Sequence, residues 1–170
     1  GIELIGSTLL ISDSEVDEMS IYQGANLFET TTSGVLLSTS DTTFYSHEPT
    51  GVALNPANGH LFTSDDDLCR VFEVTPGADN QINAGDTVRN FRAPGACDWE
   101  GIAYGAGSLW IADGASAEIW RYQPGPNGVF DGGGDDVITH FDTQVLGLTD
   151  PEGIAYDTDD GSLYVAGPPA

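Results

Sequence analysis

The sequence predicts an all-β protein built from β-propeller blades, each made of four antiparallel strands. A glycine-anchored motif recurs at Gly1, Gly51, Gly101 and Gly153 in the chain of 170 residues, at spacings of 50, 50 and 52. Four short strand patterns follow each of the first three glycines, and four strands in about 50 residues is the size of one propeller blade. No stretch shows helical periodicity with caps.

Each copy of the motif is predicted to be a β-hairpin. Its first strand is short and apolar, as in Ile102-Ala103-Tyr104, and its second alternates in the manner of a strand, as in Leu109-Trp110-Ile111-Ala112. Asn58-Gly59 and Asp160-Gly161 separate the two strands in their copies, and these dipeptides favour tight hairpin turns.

Two further strands complete each repeat. The third strand carries an aliphatic–aromatic–charged triplet, and the fourth follows a glycine-rich loop. The triplets are Leu27-Phe28-Glu29, Val71-Phe72-Glu73 and Ile119-Trp120-Arg121, and the fourth strands are Val35-Leu36-Leu37, Thr87-Val88 and Val137-Ile138. We assign blades to residues 1–50, 51–100 and 101–152, and the first hairpin of a fourth blade to 153–170.

About three and a half blades cannot close a ring, and a propeller closes to protect its strand edges. We therefore expect the chain to be one continuous propeller fragment of a longer protein. The alternative is a ring completed by another copy, a homo-oligomer. Further blades, from the same protein or another copy, are the predicted partners.

The charge balance excludes several partners. The chain has 27 acidic residues and four arginines, with a formal net charge of −23. Nucleic acids are excluded because phosphate binding needs Lys and Arg, and no apolar run is long enough for membrane insertion. Such a charge repels itself, so we expect either a salty setting or bound divalent cations to offset it.

Alternating strand direction places the loops before strand one and after strand two on one face, the channel face. Five acids near the axis of this face are predicted as calcium ligands, since Ca²⁺ takes several oxygen ligands: Glu48, Asp98, Glu100, Asp150 and Glu152. The outer aspartates Asp13, Asp65 and Asp113 end strand two, and Asp66 and Asp67 extend that group. Capping of loop amides is the alternative for all of these residues.

Two related loops on the opposite face give a weaker calcium prediction. Both mix Asp, Asn and Gly at close spacing, as oxygen-ligand loops do, although turn chemistry favours the same residues. The candidates are Asp79, Asn80, Asn83 and Asp86 in one loop, and Asn127, Asp131, Asp135 and Asp136 in the other.

Cys69 and Cys97 both fall on the channel face in neighbouring blades. A disulfide between them is geometrically feasible and would indicate an oxidising compartment, and two unpaired core thiols is the alternative. No catalytic constellation is visible, so we assign no catalytic residue. His47, which breaks the repeat beside Glu48, is a weak candidate.

Two segments carry a resemblance to known propellers. DWEGIAYGAGSLWIADGASAEIWRY and DPEGIAYDTDDGSLYVAG resemble the repeats of six-bladed propellers of the NHL, SMP-30 (gluconolactonase-like) and esterase-like phytase kind. The pairing of ISDSEVDEM with PGPNGVFDGGGDDVITHFDT is similar to secreted calcium-dependent proteins of cyanobacteria and marine bacteria. The resemblance implies a six-bladed ring, often with Ca²⁺ or another divalent ion in its channel.

Two functions follow as hypotheses. The first is an extracellular or periplasmic, calcium-stabilised propeller module that serves binding or assembly in a larger secreted protein. The second is a divalent-metal esterase or lactonase, because lactonase-like relatives hold a metal in the channel with Glu and Asn or Asp. Glu100, Glu152, Asp98 and Asp150 match only that general location. The basic residues that bind phytate in phytase-like propellers have no counterpart in this chain, which has four arginines in all.

Overall fold

The protein is described by a computed structural model that covers residues 1–79, 81–92 and 94–168. These residues form four antiparallel sheets and two single-turn 3₁₀ helices, Val16–Glu18 and Gln144–Leu146. The strands are β1 (Ile2–Ile5), β2 (Thr8–Ser12), β3 (Leu27–Thr31), β4 (Leu36–Ser40), β5 (Gly51–Asn55), β6 (His60–Asp65), β7 (Arg70–Thr75), β8 (Thr87–Phe91), β9 (Trp99–Gly105), β10 (Ser108–Asp113), β11 (Glu118–Gln123), β12 (Val137–Asp142), β13 (Gly153–Tyr156) and β14 (Leu163–Ala166).

Every sheet is a meander in which each strand pairs with the next along the chain. The orders are β1-β2-β3-β4, β5-β6-β7-β8, β9-β10-β11-β12 and β13-β14. Turn chemistry sets the register, as at Ala106-Gly107, where φ is positive at both positions (49° and 68°) between the paired residues Gly105 and Ser108. The predicted all-β architecture of four-stranded propeller blades is confirmed.

The anchoring glycines let the inner strands of neighbouring sheets approach closely. A Cβ at Gly51 would lie 2.7 Å from the Ile102 nitrogen, and a Cβ at Gly101 would lie 2.6 Å from the Glu152 carbonyl oxygen. No side chain fits at such distances, which explains why the repeat starts with glycine. Gly153 in the last sheet has only the Ala166 side chain near it, at 3.7 Å.

Apolar side chains fill the spaces between successive sheets. One cluster joins the first and second sheets through Leu27, Val52 and Val74, and the other centres on Phe62 and Ile111 between the second and third. Because strand residues alternate between faces, the second sheet buries one set of side chains against the first sheet and another against the third.

The two-stranded fourth sheet packs on the third. The Tyr156 ring stacks on Trp110 with centroids 6.3 Å apart, and Arg121 covers the same tryptophan at 5.0 Å. Among the helices described, none is long and apolar enough to cross a membrane.

Candidate cation site at the channel mouth

The four inner strands, β1, β5, β9 and β13, converge on a cavity of about 380 Å³. The anchoring glycines form much of its wall, since they carry no side chains into it. Two carboxylates, those of Glu100 and Glu152, line it together with Thr50. The Thr50 hydroxyl donates to the Trp99 carbonyl at 2.6 Å and so fixes the second sheet to the third at the cavity.

Three carboxylates cluster at the mouth of this channel. Ligand oxygens of Asp66, Asp98 and Glu100 all lie within 4.8 Å of one another, and all three residues are half-buried. Asp66 lies in the turn between β6 and β7, Asp98 directly precedes β9, and Glu100 lies within β9. Two oxygens on opposite sides of a Ca²⁺ ion lie roughly 5 Å apart, so this spacing suits that ion.

Burial and mutual repulsion disfavour the charged form of these acids. Burial, and then the charges of Asp66 and Asp98, raise the pKa of Glu100. Burial is also the main cause that raises the pKa of Asp66, with smaller contributions from Asp67, Asp65 and Asp98. One oxygen of Asp66 is buried without a hydrogen-bond partner. The cluster therefore favours binding of a cation or of protons.

No basic side chain offsets this charge in the part of the chain that is described. The carboxylates that lie within 4.0 Å of a basic side chain there contact His47, His60 and His140, which carry a charge only when protonated. Arg70 instead donates to the Asn90 side chain at 3.1 Å, and Arg121 donates to the Ser108 hydroxyl.

The other predicted channel acids surround this cluster. Asp150 and Asp98 converge over Gly114, where a Cβ would lie 2.7 Å from the Asp98 Oδ2 atom and would also contact Asp150. Burial, followed by repulsion from Glu15 and Asp66, raises the pKa of Glu48 to about 7. The sequence assigned Asp66 to the outer group, whereas the structure places it in the inner cluster. The run Asp65-Asp66-Asp67 departs from the repeat, and this departure is the feature of the sequence that could have indicated a role for Asp66.

A disulfide joins the two loops that carry the cluster. Cys69 and Cys97 are bonded, with Cα atoms 5.2 Å apart and a sequence separation of 28. Cys69 lies in the same turn as Asp66, and Cys97 is adjacent to Asp98. The bond thus fixes two mutually repelling carboxylates near each other.

The outer aspartates have capping roles. Asp65 is fully buried and accepts from the Ser46 hydroxyl and the Leu68 amide, both at 2.7 Å. Asp113 is also fully buried and accepts from the Ala96 amide at 2.7 Å. Asp13 accepts from the Glu15 amide at 3.1 Å. These carboxylates have donors, whereas one buried oxygen of Asp66 in the inner cluster has none.

The loops of the opposite face are built around one aspartate each. Asp86 accepts from the amides of Gly77 and Asn83, both at 2.8 Å. Asp136 accepts from the amides of Gly125, Asp131 and Gly132 at 3.0–3.1 Å.

Other loop acids lie close to these two. Asp131, Asp135 and Asp136 place ligand oxygens within 4.8 Å of one another. Asp135 binds the Asn127 side chain at 2.9 Å, and Asp79 binds the Asn83 side chain at 3.1 Å. Asn80 lies outside the described residues. The oxygens of these loops are largely engaged in holding the loops themselves.

His47 lies outside the lining of the channel cavity. Its Nδ1 atom contacts the Asp17 carboxylate at 2.7 Å; the Asp17 side chain is only 8% exposed, whereas that of His47 is 70% exposed. Asp17 belongs to the long connection between β2 and β3. The pair attaches this connection to the segment that enters the second sheet.

Comparisons with known proteins are consistent with the fold. No family model matches the chain, and no curated protein matches it. Its structure is similar to the PQQ-bound form of an aldose sugar dehydrogenase from Streptomyces coelicolor, with a TM-score of 0.52 and 17% identity. The match covers 93% of this chain and 52% of the dehydrogenase, so this chain spans about half of that protein.

At this identity, the likeness shows a β-propeller-like fold and carries no cofactor or activity to this chain. It lends no support to a narrower placement among NHL, SMP-30 or phytase-like propellers, which stays a prediction.

Proposed function

We propose that this chain is a calcium-stabilised β-propeller module of a secreted protein, serving binding or assembly. The main support for this proposal is the cluster of Asp66, Asp98 and Glu100, whose oxygens lie within 4.8 Å of one another at the channel mouth. A Ca²⁺ ion there would neutralise part of a charge of −23 and bridge the second and third sheets. The Cys69–Cys97 bond supports an extracellular or periplasmic location, because disulfides persist in oxidising compartments.

Thermal unfolding with and without calcium tests this proposal. A ligand at about 100 times its Kd stabilises the native state by about 2.7 kcal/mol, which corresponds to a rise in Tm of roughly 5–10 °C for a domain of this size. We expect that rise in CaCl₂ relative to EDTA, and Glu100→Gln should abolish it.

Asp135→Asn is the matched control. It removes one charge from the acidic group of the opposite face and should leave the calcium response intact. If Asp135→Asn abolished the response while Glu100→Gln kept it, the cation site would lie in the opposite loops. A parent chain with equal Tm in CaCl₂ and EDTA would contradict the proposal.

The cavity supports a second candidate, a divalent-metal esterase or lactonase. It has about 380 Å³ of space, and its lining includes Glu152 as well as Glu100 from the cluster. A metal at the cluster would polarise an ester carbonyl placed in this cavity. We would measure calcium-dependent hydrolysis of a lactone and an aryl ester. Turnover that Glu152→Gln abolishes, with the calcium-dependent Tm preserved, would favour the enzyme; background rates in the parent chain would exclude it for these substrates.

A further inference from the structure

The fourth sheet has an unpaired edge beside an apolar groove. Within the described residues, β14 pairs with β13 alone. Next to it lies a groove of about 430 Å³ whose apolar lining includes Phe141, Leu146, Leu148, Leu163 and Val165. The groove thus runs between the end of the third sheet and the side of β14 that faces it.

The three complete sheets show what covers the equivalent edge. In each of them the third strand pairs with strand two. The aromatic residue of the third-strand triplet then lies opposite the same repeat position of strand two in all three sheets. Val165 occupies this position in β14, since β14 aligns with β10 through the shared Gly-Ile-Ala-Tyr strand and the following Ser-Leu. The aromatic pairs are Phe28 with Ile11, Phe72 with Thr63, and Trp120 with Ile111.

The loop beneath the groove also has a counterpart. Thr42 and Thr143 open equivalent connections between sheets, and each hydroxyl donates to a carbonyl four or five residues later, at Ser46 (2.9 Å) and Leu148 (2.8 Å). In the first connection the Tyr45 ring packs on Phe72 of the third strand, with centroids 5.2 Å apart.

Leu146 follows Thr143 as Tyr45 follows Thr42, at the third position after the threonine. It is 72% exposed. An apolar side chain that the repeat covers in one connection is therefore left uncovered in the other.

We propose that the β14 edge and this groove form a docking site for an extended strand with the aliphatic–aromatic–charged triplet of β3, β7 and β11. The strand pairs its backbone with β14, as in β-strand addition. Its aromatic side chain lies opposite Val165 and covers Leu146. The site is independent of the proposed cation site, which lies on the channel face.

A synthetic peptide of residues 116–142, which carries β11 and β12, tests the site in trans on the full chain. We expect saturable binding and slower hydrogen exchange at the edge amides of Leu163–Ala166. A peptide with Trp120→Asp should bind at least about tenfold more weakly, because it cannot fill the groove with an apolar ring. Equal binding of both peptides would overturn the proposal.

Two chain variants localise the binding. Leu146→Asp should weaken it about tenfold or more, whereas Val145→Asp should not, because Val145 is 79% exposed and is not part of the groove lining. The same peptide sequence fused behind residue 170 through a Gly/Ser linker should raise Tm in the parent chain and not in Leu146→Asp. Absence of that rise, or a groove covered by a second copy of the chain in a concentration-dependent dimer, would refute the docked strand.

Discussion

Acids on the two faces of the propeller differ in what surrounds their oxygens. On the opposite face, Asp136 accepts from three backbone amides at 3.0–3.1 Å. At the channel mouth, Asp66 has a buried oxygen without a partner, and Asp98 and Glu100 add their charges within 4.8 Å. One set of carboxylates stabilises loops by itself, whereas the other needs a cation or protons. The same residue type therefore has opposite effects on stability in metal-free buffer.

Removing the disulfide should have the largest effect on this contrast. The bond closes a loop of 28 residues, for which the chain-entropy relation gives roughly 3–4 kcal/mol of stabilisation. We expect the double variant Cys69→Ser, Cys97→Ser to lose about that much unfolding free energy in urea. It should also lose most of its calcium response, because the disulfide would no longer join the two loops that carry Asp66 and Asp98.

Two comparisons make this prediction specific. Reduction of the parent chain with dithiothreitol should reproduce the double variant. An unchanged calcium response in the unbridged chain would show that the bond does not position the cluster.

An intermediate effect is expected at Asp136. Asn offers one carbonyl oxygen where the carboxylate offers two, so Asp136→Asn should leave at least one of its loop amides unpaired. The cost of such a loss is about 1–3 kcal/mol. Urea unfolding should show that loss equally in CaCl₂ and in EDTA. Asp135→Asn, which makes the same charge change in the same loop, should cost less, and a loss as large as that of Asp136→Asn would refute the capping role.

The repeat made the fold predictable from sequence, because local signals and packing requirements agree in it. Glycine recurs where an inner strand meets its neighbour too closely for a side chain, as at Gly51 and Gly101. The turn dipeptides and the alternation of apolar residues then define the strands. Each blade repeats these signals, so the pattern is read several times in one chain.

The cation cluster was less predictable, because it depends on contacts between sheets. Repeat positions placed Asp98 and Glu100 near the axis, but Asp66 reaches the same point from a turn of the neighbouring sheet. The capping role of Asp65 beside it depends on Ser46 from the preceding connection, at 2.7 Å. No repeat pattern within one blade contains such a contact.

The smallest effect concerns pH, and it distinguishes the channel acids from the capping acids. The pKa of Glu48 is raised from 4.5 to about 7, mainly by burial and then by neighbouring acids. A carboxyl with a raised folded pKa holds its proton in the native chain after the unfolded chain has released it. The stabilising contribution of Glu48 to the unfolding free energy is therefore fully present below about pH 4.5 and is lost as pH rises through about 7.

We expect the unfolding free energy of the parent chain in EDTA to fall between pH 5 and pH 8, and Glu48→Gln to fall less steeply. The difference between the two chains isolates Glu48, since every other titrating group is common to both. The slope should be modest because Glu48 is half-buried and solvent screens it. Added calcium should reduce it further, because a cation at Asp66 removes part of the repulsion that Glu48 experiences. A steeper fall in Glu48→Gln than in the parent would mean that the Glu48 carboxyl stabilises the fold in its charged form.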